Sequence, residues 1–249
     1  HLDYAAQKFG PNSEQARSSL EELDHELASF RDSVATSGIA KDAVFLVVGE
    51  YAMTDVSGVI HPNRVLREAG LLTLREKEGA EHLDITNSRA FAMVDHQFAH
   101  VFVRAGDREV IGRCREVFES QPGMAGVYSG EGLAEVGMNH ERSGELVLMA
   151  DDDHWFAYHW WLNDAAAPGF ARTVDIHRKP GYDPVELFFD PATKSIPLDA
   201  SLVKGSHGAP AVGAQHRAAL LCSRGSDAVQ AGRVYRDTDI KRIVLELLA

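Results

Sequence analysis

The chain has 249 residues, 45% hydrophobic, 25% charged and 8% aromatic, which is globular composition with enough apolar mass for one large domain or two small ones. Lys plus Arg total 25 against 37 for Asp plus Glu, a formal charge of −12 with no basic stripe to offset it, which argues against a nucleic acid polymer or an anionic membrane as partner. Two cysteines, Cys114 and Cys222, exclude a disulfide scaffold and a cysteine-based zinc site, and no apolar run approaches the roughly 20 residues of a membrane span.

From Ser13 to Thr36 the apolar residues Ala16, Leu20, Leu23, Leu27, Phe30 and Val34 recur at steps of four and three, predicting a helix with Asn12 or Ser13 as N-cap and Gly38 as stop. Ala43 to Val48 is an unbroken apolar run, the pattern of a strand buried on both faces of a parallel sheet. Beyond Gly49-Glu50-Tyr51 a short helix runs over about Pro62 to Glu68, ended by Gly70. Leu71–Leu74, Ala90–Val94 and Phe98–Val103 read as strands, and Asp107–Phe118 as a helix. Glu145–Met149 and Trp155–Tyr158 are further strand candidates. Residues 165–213 hold six of the nine prolines and predict long ordered loops. A strand over Ala218–Cys222 and a helix from Asp239 complete the chain. Helix followed by buried strand is α/β grammar. The economical division is an α/β core of residues 1–70 and 150–249 with an α+β insertion over 71–149.

The sequence lacks G-x-S-x-G, G-x-x-x-x-G-K-[ST], H-E-x-x-H and C-x-x-C, so chemistry must be sought in its 12 histidines and their neighbours. Asp3 with His1 ahead of Gly10-Pro11 either binds a divalent metal or caps a turn beside a solvated histidine. Glu50 leaves the end of a buried strand, where open α/β sheets bind ligands, or it is an exposed turn residue. Lys204-Gly205-Ser206-His207-Gly208 places His207 on a tight loop, as a metal ligand or as a surface side chain. His96 and His100 would share one face of a strand, as ligands or as packed core. Arg178 and Lys179, within Asp175 to Asp183, either face a phosphate or complete an internal ion-pair network. Asp151-Asp152-Asp153 reads as a solvated turn, and the aromatic stretch Trp155 to Trp161 as core or interface.

Taken in order, these segments resemble the C-terminal portion of the alkaline phosphatase superfamily, in its type I phosphodiesterase/nucleotide pyrophosphatase branch. The motifs are Asp3, Gln7, Gly10 and Pro11 for an Asp-x-x-x-His-x-x-Gly-Pro pattern, Glu50-Tyr51-Ala52-Met53 for Asp-His-Gly-Met, and Gly205-Ser206-His207-Gly208 for the last metal histidine. The run after Arg142 adds to the likeness.

The resemblance implies a doubly wound α/β sheet with a smaller α+β insertion. It also implies two divalent metals, zinc favoured with manganese or iron as alternatives, and a phosphoric ester, phosphodiester or nucleotide pyrophosphate, as substrate. Asp3 and His207 would then hold one metal and Glu50, with Tyr51, the other. Gln7 stands where a histidine is expected, and Asp95, His96, His61 and His1 are the candidates to fill that place. Lys179 or Arg178 would contact the phosphate. The family's nucleophilic Thr or Ser lies ahead of the Asp3 motif, so a missing N-terminal segment of the same protein is expected to supply it. The alternative is a non-catalytic descendant of the fold that binds a ligand or partner, for which the departures at Gln7 and Tyr51 speak. Location is left open, with the cytoplasm as the default expectation.

Overall fold

The computed structural model describes residues 2–38 and 42–248, so His1 lies outside the described residues. In chain order its elements are α1 (Leu2–Phe9), α2 (Glu14–Thr36), β1 (Leu46–Val48), β2 (Thr54–Asp55), β3 (Gly58–Ile60) and α3 (Pro62–Glu68). There follow β4 (Leu74–Lys77), β5 (Ala80–Leu83), β6 (Ala90–Asp95), β7 (Phe98–Val103), α4 (Arg108–Glu119), β8 (Met124–Ser129) and α5 (Gly132–Glu135). The chain closes with β9 (Leu146–Ala150), β10 (His154–Phe156), β11 (Gly205–Ser206), β12 (Leu220–Cys222) and α6 (Ile240–Leu248). They divide into two compact units, one of His1–Arg17 with Met53–Pro210, the other of Ser18–Ala52 with Ala211–Ala249. Segment 71–149 lies wholly in the first unit. No helix is long and apolar enough to cross a membrane, among the described residues.

The first unit is organised by an antiparallel four-stranded sheet in the order β6-β7-β9-β8. Strand β6 alternates buried and more open positions, as a sheet with one covered face requires, whereas all of β9 is buried. Helix α4 lies against the sheet and buries Val110, Cys114 and Phe118, spaced four residues apart on one stripe. Asp107 starts it by accepting the N–H groups of Glu109 and Val110. The aromatic stretch is core, as its composition suggested. Trp155, Phe156, Tyr158, Trp160 and Trp161 are all buried, and β10 pairs in parallel with β3. Asn63 locks these layers together, its Nδ2 donating to the carbonyls of Ala92 (3.0 Å) and Tyr158 (3.2 Å) while its Oδ1 accepts the Ala92 N–H at 2.8 Å.

In the second unit the structure corrects one expectation. The run from Ala43 forms a strand only over Leu46–Val48, pairs antiparallel with β12, and leaves Val47 and Val48 37% and 40% exposed. It is not a doubly buried parallel strand. Helix α2 forms where the periodicity places it, with the Ser13 hydroxyl accepting the Ala16 N–H, yet Leu20 and Phe30 are 53% and 59% exposed. Both follow from one cause. Apolar patterning reports which faces are suited to burial, while burial itself needs covering elements, and among the described residues β1 has a single neighbouring strand. Elsewhere β4 begins at Leu74, where the strand read over Leu71–Leu74 ends, because Leu71 and Leu72 turn inward to the core instead.

Candidate functional site

Asp3 and Gln7 sit four residues apart on α1 and so share one face. That helix is tied to the His207 loop by main-chain bonds: the Lys204 N–H donates to the Gln7 carbonyl at 2.8 Å, and the Val56 N–H donates to the Lys204 carbonyl at 2.9 Å. Gly205 permits the approach, because a Cβ there would stand 2.2 Å from the Ala6 carbonyl oxygen. Strand β11 then pairs with β2, which fixes the direction in which the chain enters His207.

A third element reaches the same place. The β6–β7 turn is Asp95-His96-Gln97, with His96 in the left-handed region at φ 55°. Gln97 pins the turn from both sides. Its N–H donates to the His207 carbonyl at 2.9 Å, and its side chain donates to the Asp152 carbonyl at 3.0 Å and accepts from the Ala209 N–H at 3.3 Å. His96 Nδ1 lies 2.6 Å from the Asp95 carboxylate, a hydrogen bond that fixes the ring. Its Nε2 is buried with no hydrogen-bond partner among the described residues.

The assembled cluster is therefore Asp3, Gln7, Asp95, His96, His207 and Tyr182. His207 Nε2 stands 3.9 Å from Asp3 Oδ1, and Gln7 Nε2 donates to Asp3 Oδ2 at 2.6 Å. The His96 ring lies between His207, with centroids 3.8 Å apart, and Tyr182, at 4.5 Å. Burial, reinforced by the neighbouring His96, pushes the His207 imidazole down to about 4 even though the charges of Asp3 and Asp95 act the other way. His207 is thus neutral near pH 7, with a lone pair to offer. Burial, then the Asp3 charge, pushes the Tyr182 phenol up to about 12, so it stays a neutral hydroxyl. Tyr182 joins the site without a motif of its own, and its sequence signal is the Pro180-Gly181-Tyr182-Asp183 turn. There Gly181 (φ 119°) lies so close to Val94 that a Cβ would fall 2.0 Å from its carbonyl oxygen.

The donor chemistry suits a divalent cation, since a carboxylate and neutral imidazoles are ordinary ligands. The arrangement goes only part of the way. The His96 and His207 rings are tilted by 31° to one another, and among the described residues no group of three His, Cys, Asp or Glu side chains could hold a metal ion. Asp3 and His207 are a carboxylate and an imidazole that the fold brings together here.

The other residues read as ligands or phosphate contacts stand apart from this cluster in character. Glu50 and Tyr51 follow β1 in the second unit, where they line a pocket of about 480 Å³. Lys179 is buried and engaged by two carboxylates, with Nζ donating to Asp183 Oδ2 at 2.8 Å and Glu186 Oε1 at 2.5 Å. Arg178 is exposed and paired with Asp175. Of the two readings open for this segment, the internal ion-pair network is the arrangement present.

Comparison with known proteins bears on the whole chain. The sequence matches the family described as Type I phosphodiesterase / nucleotide pyrophosphatase over residues 1–183. Among curated proteins none matches by sequence. Among solved structures, murine ectonucleotide pyrophosphatase/phosphodiesterase 5 is similar with a TM-score of 0.54 at 15% identity, over 88% of this chain and 44% of that one. Its human counterpart has a TM-score of 0.55 at 13% identity, over the same 88% and 44%. Phosphonoacetate hydrolase from Sinorhizobium meliloti 1021, solved in complex with phosphonoformate, has a TM-score of 0.54 at 15% identity over 99% of this chain and 49% of that one. These likenesses show a shared α/β fold, and the chain spans about half the length of each of these structures. With a match that covers most of its length, this chain belongs to the Type I phosphodiesterase / nucleotide pyrophosphatase family.

Proposed function

We propose that this chain is the part of a metal-dependent phosphoric ester hydrolase that presents Asp3 and His207 to one divalent cation, with phosphodiesters or nucleotide pyrophosphates as substrates. The observation that carries the reading is the approach of His207 Nε2 to Asp3 Oδ1, 3.9 Å apart, from distant parts of the sequence. When bound, the cation would neutralise charge on the phosphoryl oxygens and on the attacking hydroxyl. The chain's own residues have definite tasks. Asp3 supplies an anionic oxygen, His207 a neutral nitrogen, and Gln7 orients the carboxylate from its second oxygen. The Asp95–His96 pair holds a second imidazole beside them. The nucleophilic hydroxyl, and ligands beyond this pair, are assigned to polypeptide outside the cluster.

The test uses the gene product that carries this chain, loaded with zinc, manganese or iron and assayed on bis(4-nitrophenyl) phosphate with metal content measured in parallel. Hydrolysis is expected, and His207→Ala and Asp3→Asn should lower bound metal and rate together with the fold retained. Metal-loaded protein that cleaves no phosphoric ester would favour the second reading, a ligand-binding descendant of the fold. A specific observation speaks for that reading too: Gln7, at a position where the family pattern has a histidine, occupies an Asp3 oxygen.

A further inference from the structure

The second unit leaves open a surface of the kind that folded proteins normally bury. Of the 23 residues of α2 only Ala16 is buried, and the stripe of Leu20, Leu23, Leu27 and Phe30 lies exposed along the helix. Phe30 meets Phe45 edge-on, with ring centroids 6.1 Å apart, so the stripe continues onto the chain entering β1. Alternation along an extended chain puts Phe45 and Val47 on one face, and the register sets Leu221, 61% exposed, opposite Val47. Helix stripe and ribbon face are parts of one apolar surface.

The ribbon has an open edge as well. The Gly49 N–H donates to the Ala219 carbonyl at 2.8 Å and the Ser223 N–H to the Phe45 carbonyl at 2.9 Å, so odd-numbered positions of this segment face β12. Leu46 and Val48 turn their main-chain groups to the other edge, where no strand pairs with β1 among the described residues. The strand Leu46-Val47-Val48 carries neither a charge nor a proline, the features that keep edges from pairing.

An open edge beside an open apolar face is matched by an occupant that supplies both a strand and apolar side chains. A second copy is a poor match, because α2 carries six carboxylates against two arginines and would meet its own charge. The solved structures similar to this chain hold about as much polypeptide again, since the chain accounts for 44% of one and 49% of another. We propose that further polypeptide of the same protein, outside this chain, covers this surface, pairing a strand with the free edge of β1 and packing apolar side chains on Leu20, Leu23, Leu27 and Phe30. The assignment concerns packing and does not depend on a cation at Asp3 and His207.

The test uses the gene product that carries this chain, in a Cys222→Ser background with Leu20→Cys, Phe30→Cys or Ile176→Cys added singly. Ile176, 71% exposed in the first unit, is the open reference. The thiols at positions 20 and 30 should react with a maleimide about tenfold more slowly than the one at 176, at any protein concentration. In the unsubstituted product, hydrogen exchange at the Leu46 and Val48 amides should be as slow as at Val47, which faces β12. Equal labelling at the three positions, or fast exchange at Leu46 and Val48, would overturn the proposal, as would a gene product with no residues beyond this chain. Protection lost on dilution, as the mass falls by half, would give the surface to a second copy instead. Phosphoric ester hydrolysis by the same product bears only on the cation site, so the two readings fail separately.

Discussion

His207 Nε2 lies 3.9 Å from Asp3 Oδ1, and the contact exists because Gly205 lets one backbone lie directly on another. A methyl group at Gly205 would press against the Ala6 carbonyl at 2.2 Å and push the His207 loop off α1. Gly205→Ala is expected to cost about 1–3 kcal/mol in stability. It should also return the His207 imidazole toward its ordinary value of 6.5 as burial is lost. Thermal unfolding and the NMR titration of the His207 ring measure the two effects, and a variant with wild-type values for both would dissociate the loop from the site.

His61 and His159 form a second pair of rings, 5.5 Å apart, with His159 stacked on Trp161. Burial first, and the charge of Arg64 second, push His61 down to about 3; His159 is lowered by burial, His61, Arg64 and Lys179. The folded state therefore refuses protons that the unfolded chain accepts near 6.5. Stability is complete above that pH and declines as pH falls toward 3, on the order of a few kcal/mol over the window. Urea midpoints at pH 7.5 and pH 5 should differ in the wild type and differ less in His61→Gln. Equal midpoints in the wild type would remove these rings from the acid response.

Lys179 is nearly sealed from solvent, its side chain 1% exposed between Asp183 and Glu186. Lys179→Met keeps the volume and removes the charge, leaving two carboxylates facing each other in a buried site. The expected loss is about 3–5 kcal/mol, read from chemical denaturation. A double substitution, Lys179→Met with Asp183→Leu, should recover part of it, and no recovery would argue against the pair as the cause.

Asn63→Ala strips three hydrogen bonds from a fully buried position and strands the main-chain groups of Ala92 and Tyr158. Roughly 3 kcal/mol should be lost. Hydrogen exchange at the Ala92 amide, which Asn63 Oδ1 accepts, should speed up more than exchange at the Val101 amide in the same sheet. Uniform acceleration across the sheet would mean that Asn63 acts through global stability alone.

Local pattern was sufficient for much of this protein. The strand over Phe98–Val103, the helix from Asp107, the buried aromatic run to Trp161 and the start of α6 all follow from periodicity and capping, because each depends on neighbours within a few residues. Order and spacing of the short motifs around Asp3 and Glu50, which lie within the matched residues, carried the family, since such motifs are properties of the sequence itself. The site was another matter. That His96 and Tyr182 stack beside His207, that Gln7 holds Asp3, and that Lys179 is consumed by Asp183 and Glu186 depend on which distant backbones approach one another. The same holds for β1, whose apolar run is compatible with a doubly covered strand or an open one. Side-chain type sets what a residue can do, and only long-range packing sets what it meets.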